Sequence, residues 1–358
     1  MTATENIILY HYSFSPFARR ISWYLALRGI PYSQCLQPPL MPRPDVARLG
    51  ISYRRIPILA IGRDVYLDTR LQLRKLEELD TAAPKLGAAT GEGRALEQLL
   101  ASMVIDGGIF GAAALLLPAS LPLLKDPAFV RDRTDFMGRE YSAEAMRRAR
   151  PEALARFAAF VDLLETTLLA DGRDWLLGGE RPGLADIEAI WPLHWLVVGL
   201  PGGGALPEEL FSAARYPKVY GWIARFDRAV SAATGGDGNN KNDGDERSNK
   251  TTSAKPRKLS GEEATRLVTQ SAWHEQAAGE VDAKDPVAAA QGLAKGDVVG
   301  VSPTDTGASR TDVGTLVGLD KDEVVLEVEA EGTTVRVHAP RHGFRLRKLD
   351  AAPPGGKL

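Results

Sequence analysis

Three successive rhythms of apolar positions run along this 358-residue chain. Residues 6–11, NIILYH, form a short apolar run suited to a buried strand. From Pro16 to Gly29 the apolar positions Phe17, Ile21, Tyr24 and Leu25 fall on one helical face. Gly29, able to take positive φ, ends that helix. A strand around Tyr32 to Gln37 and an irregular proline-rich segment come next. PILAI (57–61) and RDVYLD (63–68) are joined tightly enough to be a hairpin, and helical spacing returns from Thr69 to Leu79. The predicted order is strand, helix, strand, helix, hairpin, helix.

From about residue 91 to 232 strand signals nearly vanish. Helical spacing takes over, most clearly from Ser142 to Leu169 through Leu154, Phe157, Val161, Leu164 and Leu168. The tract GGDGNNKNDGDERSNKTTSAKPRK (235–258) has too little apolar surface to offset its ordering entropy, which predicts a disordered linker separating two folding units. Beyond it, Ser260 and Glu263 form a capping box for a short helix. From Lys295 the period becomes two. In VVLEVEAEGTTVRVH, a turn at Glu331-Gly332 sets Val328 opposite Val335, Leu326 opposite Val337 and Glu327 opposite Arg336, so apolar meets apolar and opposite charges meet. With further strands near 297–301, 314–318 and 343–349, the expectation is a small five-stranded, SH3-like barrel. The expected organisation is α/β, then all-α, then small all-β. An N-terminal domain spans 1–82, a helical domain 88–234, a linker 235–259, a helical connector 260–292 and a barrel 293–350.

Composition adds little to this picture. With 44% apolar and 25% charged residues the chain is ordinary for a globular protein, and a formal charge of −2 gives no global pull toward nucleic acid or acidic membranes. The single cysteine, Cys35, excludes an intrachain disulfide and any site built from several thiolates. MTATENIILYHY lacks a basic stretch followed by a long apolar one, so no secretory signal is expected. The uncharged stretches 107–124 and 189–207 are broken by prolines and glycines and suit buried helices better than membrane spans.

The candidate chemistry lies in the first 80 residues, whose element order is that of a thioredoxin-like fold. Ser15-Pro16-Phe17-Ala18 with Arg20 resembles the catalytic tract of the serine- and cysteine-type glutathione transferases, tau- and omega-like, in which Ser or Cys precedes Pro-Phe at the first helix. Ile56-Pro57-Ile58-Leu59 resembles that family's cis-proline segment, and Asp68-Thr69 stands where its acidic-hydroxyl pair begins the third helix. The resemblance covers roughly residues 5–232. VRVHAPRHGFRLR resembles an uncharacterised carboxy-terminal domain of fungal transferase-like proteins, which names no activity.

A helix N-terminus exposes unpaired N–H groups and partial positive charge that favour an anion. A thiol with a pKa near 8.5 is mostly protonated at neutral pH, so a hydroxyl donor at that position favours the nucleophilic thiolate. Ser15 is therefore the candidate catalytic residue, with Ser13, Tyr12 and Tyr10 as competitors. Ser before Pro is also a favoured helix start on structural grounds alone. The resemblance further implies that glutathione is cosubstrate. The backbone of Ile56, turned out by a cis Pro57, would hold its cysteinyl part, Asp68 its ammonium and Thr69 its α-carboxylate; Arg55, or its neighbour Arg54, would meet the other carboxylate. The implied function is conjugation of glutathione to a small hydrophobic electrophile by a cytoplasmic homodimer, with no metal, membrane or nucleic-acid partner. The alternative is a noncatalytic binding or regulatory protein of the same fold, docking protein or RNA through its C-terminal barrel.

Several other residues are assigned to structure. In RPGLADIEAIWPLHWL (181–196) Gly183 replaces the usual Ser or Thr cap, so Asp186 must find other donors; His194 is expected in the core, and Cys35 as a buried, inert thiol. His338 and His342 are set apart by Pro340 and a strand pattern that deny them the geometry of a helical metal pair.

Overall fold

In the computed structural model, which describes residues 6–200, 204–235, 255–277 and 279–349, the N-terminal unit runs β1 (Ile7–His11), α1 (Pro16–Leu27), β2 (Ser33–Leu36), α2 (Pro44–Ala47), β3 (Ile58–Ile61), β4 (Asp64–Tyr66) and α3 (Thr69–Glu78). β1 pairs parallel with β2 and antiparallel with β3, and β3 pairs antiparallel with β4. The arrangement is thioredoxin-like. Among the described residues seven helices follow: α4 (Gly91–Ile105), α5 (Ile109–Leu115), α6 (Pro122–Lys125), α7 (Pro127–Met137), α8 (Ala143–Leu163), α9 (Leu184–Val197) and α10 (Pro217–Ala233). The long helix expected from Ser142 is α8, whose end widens into a π-turn at Leu164–Leu168. Together α4 and α5 are long and apolar enough to cross a membrane, but Gly108, at φ 82°, breaks them apart. The stretch expected to be buried around 189 lies in α9, nearly all of which is inside.

The C-terminal unit departs from expectation. β5 (Arg257–Leu259) precedes α11 (Gly261–Gln270) and α12 (Pro286–Gln291), then β6 (Val298–Pro303), β7 (Asp312–Leu319), β8 (Glu323–Ala330), β9 (Thr333–Pro340) and β10 (Phe344–Lys348). The segment expected as a linker over 235–259 thus contributes a strand, β5, which pairs parallel with β2; residues 236–254 lie outside the described residues. The β8–β9 hairpin takes the register anticipated from side-chain pairing, with Glu331 and Gly332 both at positive φ, as a two-residue turn requires. The five C-terminal strands do not close into the expected barrel. Among the described residues no pairing joins β10 back to β9; β9 instead pairs parallel with β4, giving one ten-stranded sheet ordered β10-β6-β7-β8-β9-β4-β3-β1-β2-β5. A strand at the rim of either half is an unpaired edge, and the two halves satisfy each other.

They also share a core. Strand side chains alternate between faces. Leu9, Leu59, Ile61 and Tyr66 face α1, α3 and the helical unit, whereas Ile8, Tyr10, Ile58, Ala60 and Val65 share a second core with Val299, Val301, Leu316, Leu326, Val335 and Val337. The C-terminal sheet curls over that second face and traps the segment between α2 and β3. Gly50, at φ 70°, lies so close to β8 that a Cβ there would run into the carbonyl of Glu329.

A buried ionic cluster fastens the β4–β9 seam. His338 and Asp64 are both fully buried, with Nε2 and Oδ1 2.9 Å apart; Nδ1 of His338 is 3.3 Å from Glu323. Lys75 Nζ lies 2.6 Å from Glu275 and 2.7 Å from Glu323. Asp64 also accepts from the backbone N–H groups of His274 and Glu275, at 2.7 and 3.1 Å. Glu275, Glu323 and His338 turn ligand-type atoms toward one another, but the Lys75 ammonium already stands between the carboxylates. Burial opposes charge on His338, yet the hydrogen bonds to Asp64 and Glu323 and the nearby Glu275 outweigh it and raise its pKa. Burial likewise opposes ionisation of Glu323, but His338 and then Lys75 hold its carboxyl at about 2.

Because the folded-state pKa of His338 is raised, its charged form stabilises the fold fully below about pH 6.5, and that contribution disappears as pH rises through the folded value. His338→Gln is therefore expected to lower the midpoint of thermal unfolding most at pH 6 and progressively less at higher pH. A difference from wild type that does not vary with pH would refute this assignment.

Candidate functional site

Register alone gathers three of the motifs. Ile58 lies opposite Tyr10 and Leu59 opposite Tyr66, so the exit of β1, the entry to β3 and the exit of β4 share one end of the sheet. The turn before α1, the Ile56-Pro57 segment and the start of α3 project from that end. The Ile56–Pro57 peptide bond is cis, as is Met41–Pro42. Gln72 of α3 donates from Nε2 to the carbonyls of Pro57 and Tyr66, both at 2.9 Å, locking α3 to the hairpin. Among the described residues the backbone N–H and C=O of Ile56 have no hydrogen-bond partner.

Ser15 is the N-cap of α1. Its Oγ accepts from the Ala18 N–H at 3.2 Å and its own N–H donates to Tyr12 at 3.0 Å. Only 2% of the residue is exposed. The cap uses a lone pair of the hydroxyl, so its proton is still available to donate. Among the competitors, Tyr10 is buried and its hydroxyl is unpartnered among the described residues; burial, then Cys35 and Asp45, raises its pKa. Tyr12 packs against Phe14, which is 46% exposed beside the turn.

The charged members of the site are held within the chain. Asp68 sits at φ 64° and accepts from Arg70 N–H at 3.0 Å and Nε at 3.1 Å, with Arg55 Nη1 3.9 Å away. Burial opposes its ionisation, but Arg70 and then Arg55 lower its pKa. Arg20 donates to the Thr69 hydroxyl and to Glu188 of α9, with its guanidinium over the Trp191 ring. This fully buried arginine ties α1, α3 and the helical unit together. Arg55 donates to Asp305 and to the carbonyl of Thr306, the latter from Nε at 2.9 Å and Nη2 at 2.6 Å. Its alternative, Arg54, is buried and committed to Asp132 and Asp135 of α7.

The C-terminal sheet therefore reaches the site. Asp312 accepts from the N–H groups of Ser52 and Tyr53 at 2.6 and 3.1 Å, and Tyr53 stacks on Phe344 at 5.9 Å. These contacts fix the segment leading into Arg54, Arg55 and Ile56. Sequence reasoning missed Asp305, Thr306 and Asp312, since SPTDTGASRTD (302–312) has the composition of an ordinary surface turn and nothing local ties it to residues 52–55.

Residues 14–79 match the family model for the glutathione S-transferase, N-terminal domain. Ser15, Arg55, Ile56, Pro57, Asp68 and Thr69 lie within this match, and Tyr10, Tyr12 and Ser13 precede it. Residues 112–235 match a domain of unknown function, DUF7962. Among solved structures, a GST-like protein from Pseudomonas syringae aligns over 96% of this chain and 99% of its own, with 23% identity and a TM-score of 0.64. That likeness shows a common fold extending through the C-terminal sheet. A tau class glutathione S-transferase from mango, Mangifera indica, has 19% identity over 64% of this chain and 92% of its own, with a TM-score of 0.45. A rice glutathione transferase in complex with glutathione has 18% identity over 64% and 91%, also at 0.45. The comparison with curated proteins gives no match.

The residues assigned to structure find partners. Asp186 accepts from Gly183 N–H at 2.9 Å, Leu176 N–H at 3.0 Å and Trp222 Nε1 at 2.8 Å, which supply what the missing hydroxyl cap does not. His194 packs edge-on to Trp23 and meets Asp227 at 3.0 Å. Burial, then Asp45, pushes the Cys35 thiol up to about 12.

Asp312 offers a measurement of how firmly the C-terminal sheet holds the segment before Arg54. Burial raises its pKa to about 6 despite the Ser52 and Tyr53 hydrogen bonds, so the fold loses stability as pH rises from about 4 to 6. Asp312→Asn keeps an acceptor and removes the charge. In urea unfolding it is expected to gain on wild type between pH 4.5 and 7 by on the order of 2 kcal/mol. A constant difference across that range would contradict the assignment.

Proposed function

We propose that the chain binds glutathione at this end of the sheet and conjugates it to a small hydrophobic electrophile. The observation carrying the proposal is the convergence of Ser15, the backbone of Ile56, unpaired among the described residues, and the Asp68-Thr69 helix start at one sheet end. An extended peptide laid along Ile56 pairs with its N–H and C=O as a short added strand. That places a cysteinyl sulfur toward the start of α1, where the Ser15 proton and the helix dipole favour the thiolate. Asp68 takes the ammonium, Thr69 the α-carboxylate and Arg55 the second carboxylate; Ser15 acts as donor and not as nucleophile. Exposed Phe14 offers the electrophile an apolar surface beside the sulfur. The tau- and omega-like assignment, the homodimer and the cytoplasmic location belong to this reading through the resemblance of its motifs.

A specific observation favours a second reading. Thr69 and Arg55, which would receive the ligand's carboxylates, already have partners, and Ser15 is nearly buried. A noncatalytic protein that retains the fold for recognition, with the C-terminal sheet as its docking surface, would share these features.

Calorimetric titration with glutathione, then rate measurements on a panel of aryl halides, epoxides and α,β-unsaturated carbonyls, separates the two. Conjugation is expected, with Ser15→Ala lowering kcat about 10- to 100-fold, the range of a lost transition-state donor, while glutathione affinity stays within about threefold. Loss of the cap alone would cost about 1 kcal/mol of stability and leave kcat unchanged. Binding without turnover favours the second reading, and no binding removes the first.

A further inference from the structure

The loop between β6 and β7 places a carboxylate on the arginine that the proposed function assigns to the ligand. Thr304 N–H donates to Gly343 at 3.0 Å, Gly307 N–H donates to Phe136 of α7 at 2.7 Å, and Asp312 anchors the loop's far end on Ser52. Gly307, at φ 75°, fits between Arg54 and Phe136, where a Cβ would press on both. Between these tethers Asp305 and Thr306 meet Arg55. Asp305 takes Nη2, the Thr306 carbonyl takes Nε and Nη2, and Nη1 faces Asp68 at 3.9 Å. The Nε–Nη2 side of the guanidinium is hydrogen-bonded and Nη1 only faces Asp68, yet the Asp305 side chain is 62% exposed and that of Arg55 only 16%. The arginine is fixed and the carboxylate is the partner free to leave.

We propose that Asp305 is an internal competitor for the carboxylate of an anionic peptide ligand at Arg55, so that the C-terminal sheet sets the affinity of the site. This rests on the glutathione reading above. The Thr306 carbonyl holds the Nε–Nη2 edge, so the paired, two-point contact that a guanidinium makes with a carboxylate is left to Nη1 and Nη2, and Asp305 occupies Nη2. A ligand carboxylate must displace Asp305 into solvent, and a ligand lacking that carboxylate has nothing to gain by doing so. The loop thereby selects for the anionic end of the ligand as well as weakening its binding.

The test is glutathione titration of wild type, Asp305→Asn, Arg55→Gln and the double variant, all as the full chain. Asp305→Asn is expected to bind about two- to fivefold tighter, the range for losing one partly exposed ion pair, or to bind detectably where wild type does not. In the Arg55→Gln background the same change is expected to move affinity less than twofold. Wild type binding with Asp305→Asn equal or weaker overturns the competitor role and leaves the glutathione reading standing. A gain that persists without Arg55 also overturns it, since general charge would then suffice. Absence of binding in wild type and Asp305→Asn alike overturns both.

Discussion

The parallel pairing of β4 with β9 is the constraint on which the rest of the molecule depends. Asp64 faces Arg336, Val65 faces Val337 and Tyr66 faces His338. Across this one seam a four-stranded thioredoxin-like sheet gains five further strands, and the buried His338–Asp64 contact fixes their register. A slip of one residue would turn His338 to the other face, away from Asp64, and send Val337 out of the core. Leaving Asp64 buried without its partners would be costly, which makes the cluster a device for register as much as for stability.

From this seam the two faces of the N-terminal sheet acquire different duties. One face carries α1 and α3 and, through Arg20 with Glu188 and Trp191, the helical unit. The other is covered by the C-terminal sheet, which seals the segment between α2 and β3 and holds Ser52, Tyr53 and Arg55 in place. The candidate site lies where the faces meet, at the end of the strands. Its backbone frame comes from the N-terminal unit, but its electrostatics are shared: Asp68 is flanked by Arg55 and Arg70, and each of these is bound in turn to a carboxylate elsewhere, Asp305 and Asp106. A change in the C-terminal sheet is therefore felt at Arg55 and, through it, at Asp68.

The sequence disclosed whatever local rules determine. Alternation in VVLEVEAEGTTVRVH foretold the hairpin register because cross-strand pairs sort by chemistry within a few residues, and the SPF tract foretold the capped start of α1. Gly183 foretold that Asp186 would need other donors, and Trp222 is one of them. The closed barrel failed for a physical reason: period-two strands state that one face is buried, not which strand lies at each edge. β9 found its neighbour more than 270 residues upstream, a pairing with no local trace. The linker composition concealed β5 in the same way, for RKL is too short to signal a strand. At the site, the residue types were legible but not their occupancy. Thr69 begins α3 and Arg55 precedes the Ile56-Pro57 segment, and their partners Arg20 and Asp305 are brought by tertiary structure.

Native-state hydrogen exchange of the amides in β3, β4, β8 and β9, followed against denaturant, tests the shared sheet most directly. If the halves form one body, the slowest amides on both sides of the seam lose protection at the same denaturant concentration and with the same dependence on it. Early exchange of β8 and β9, with β3 and β4 still protected, would show the C-terminal sheet to be a detachable appendage and would separate it from the chemistry of the site.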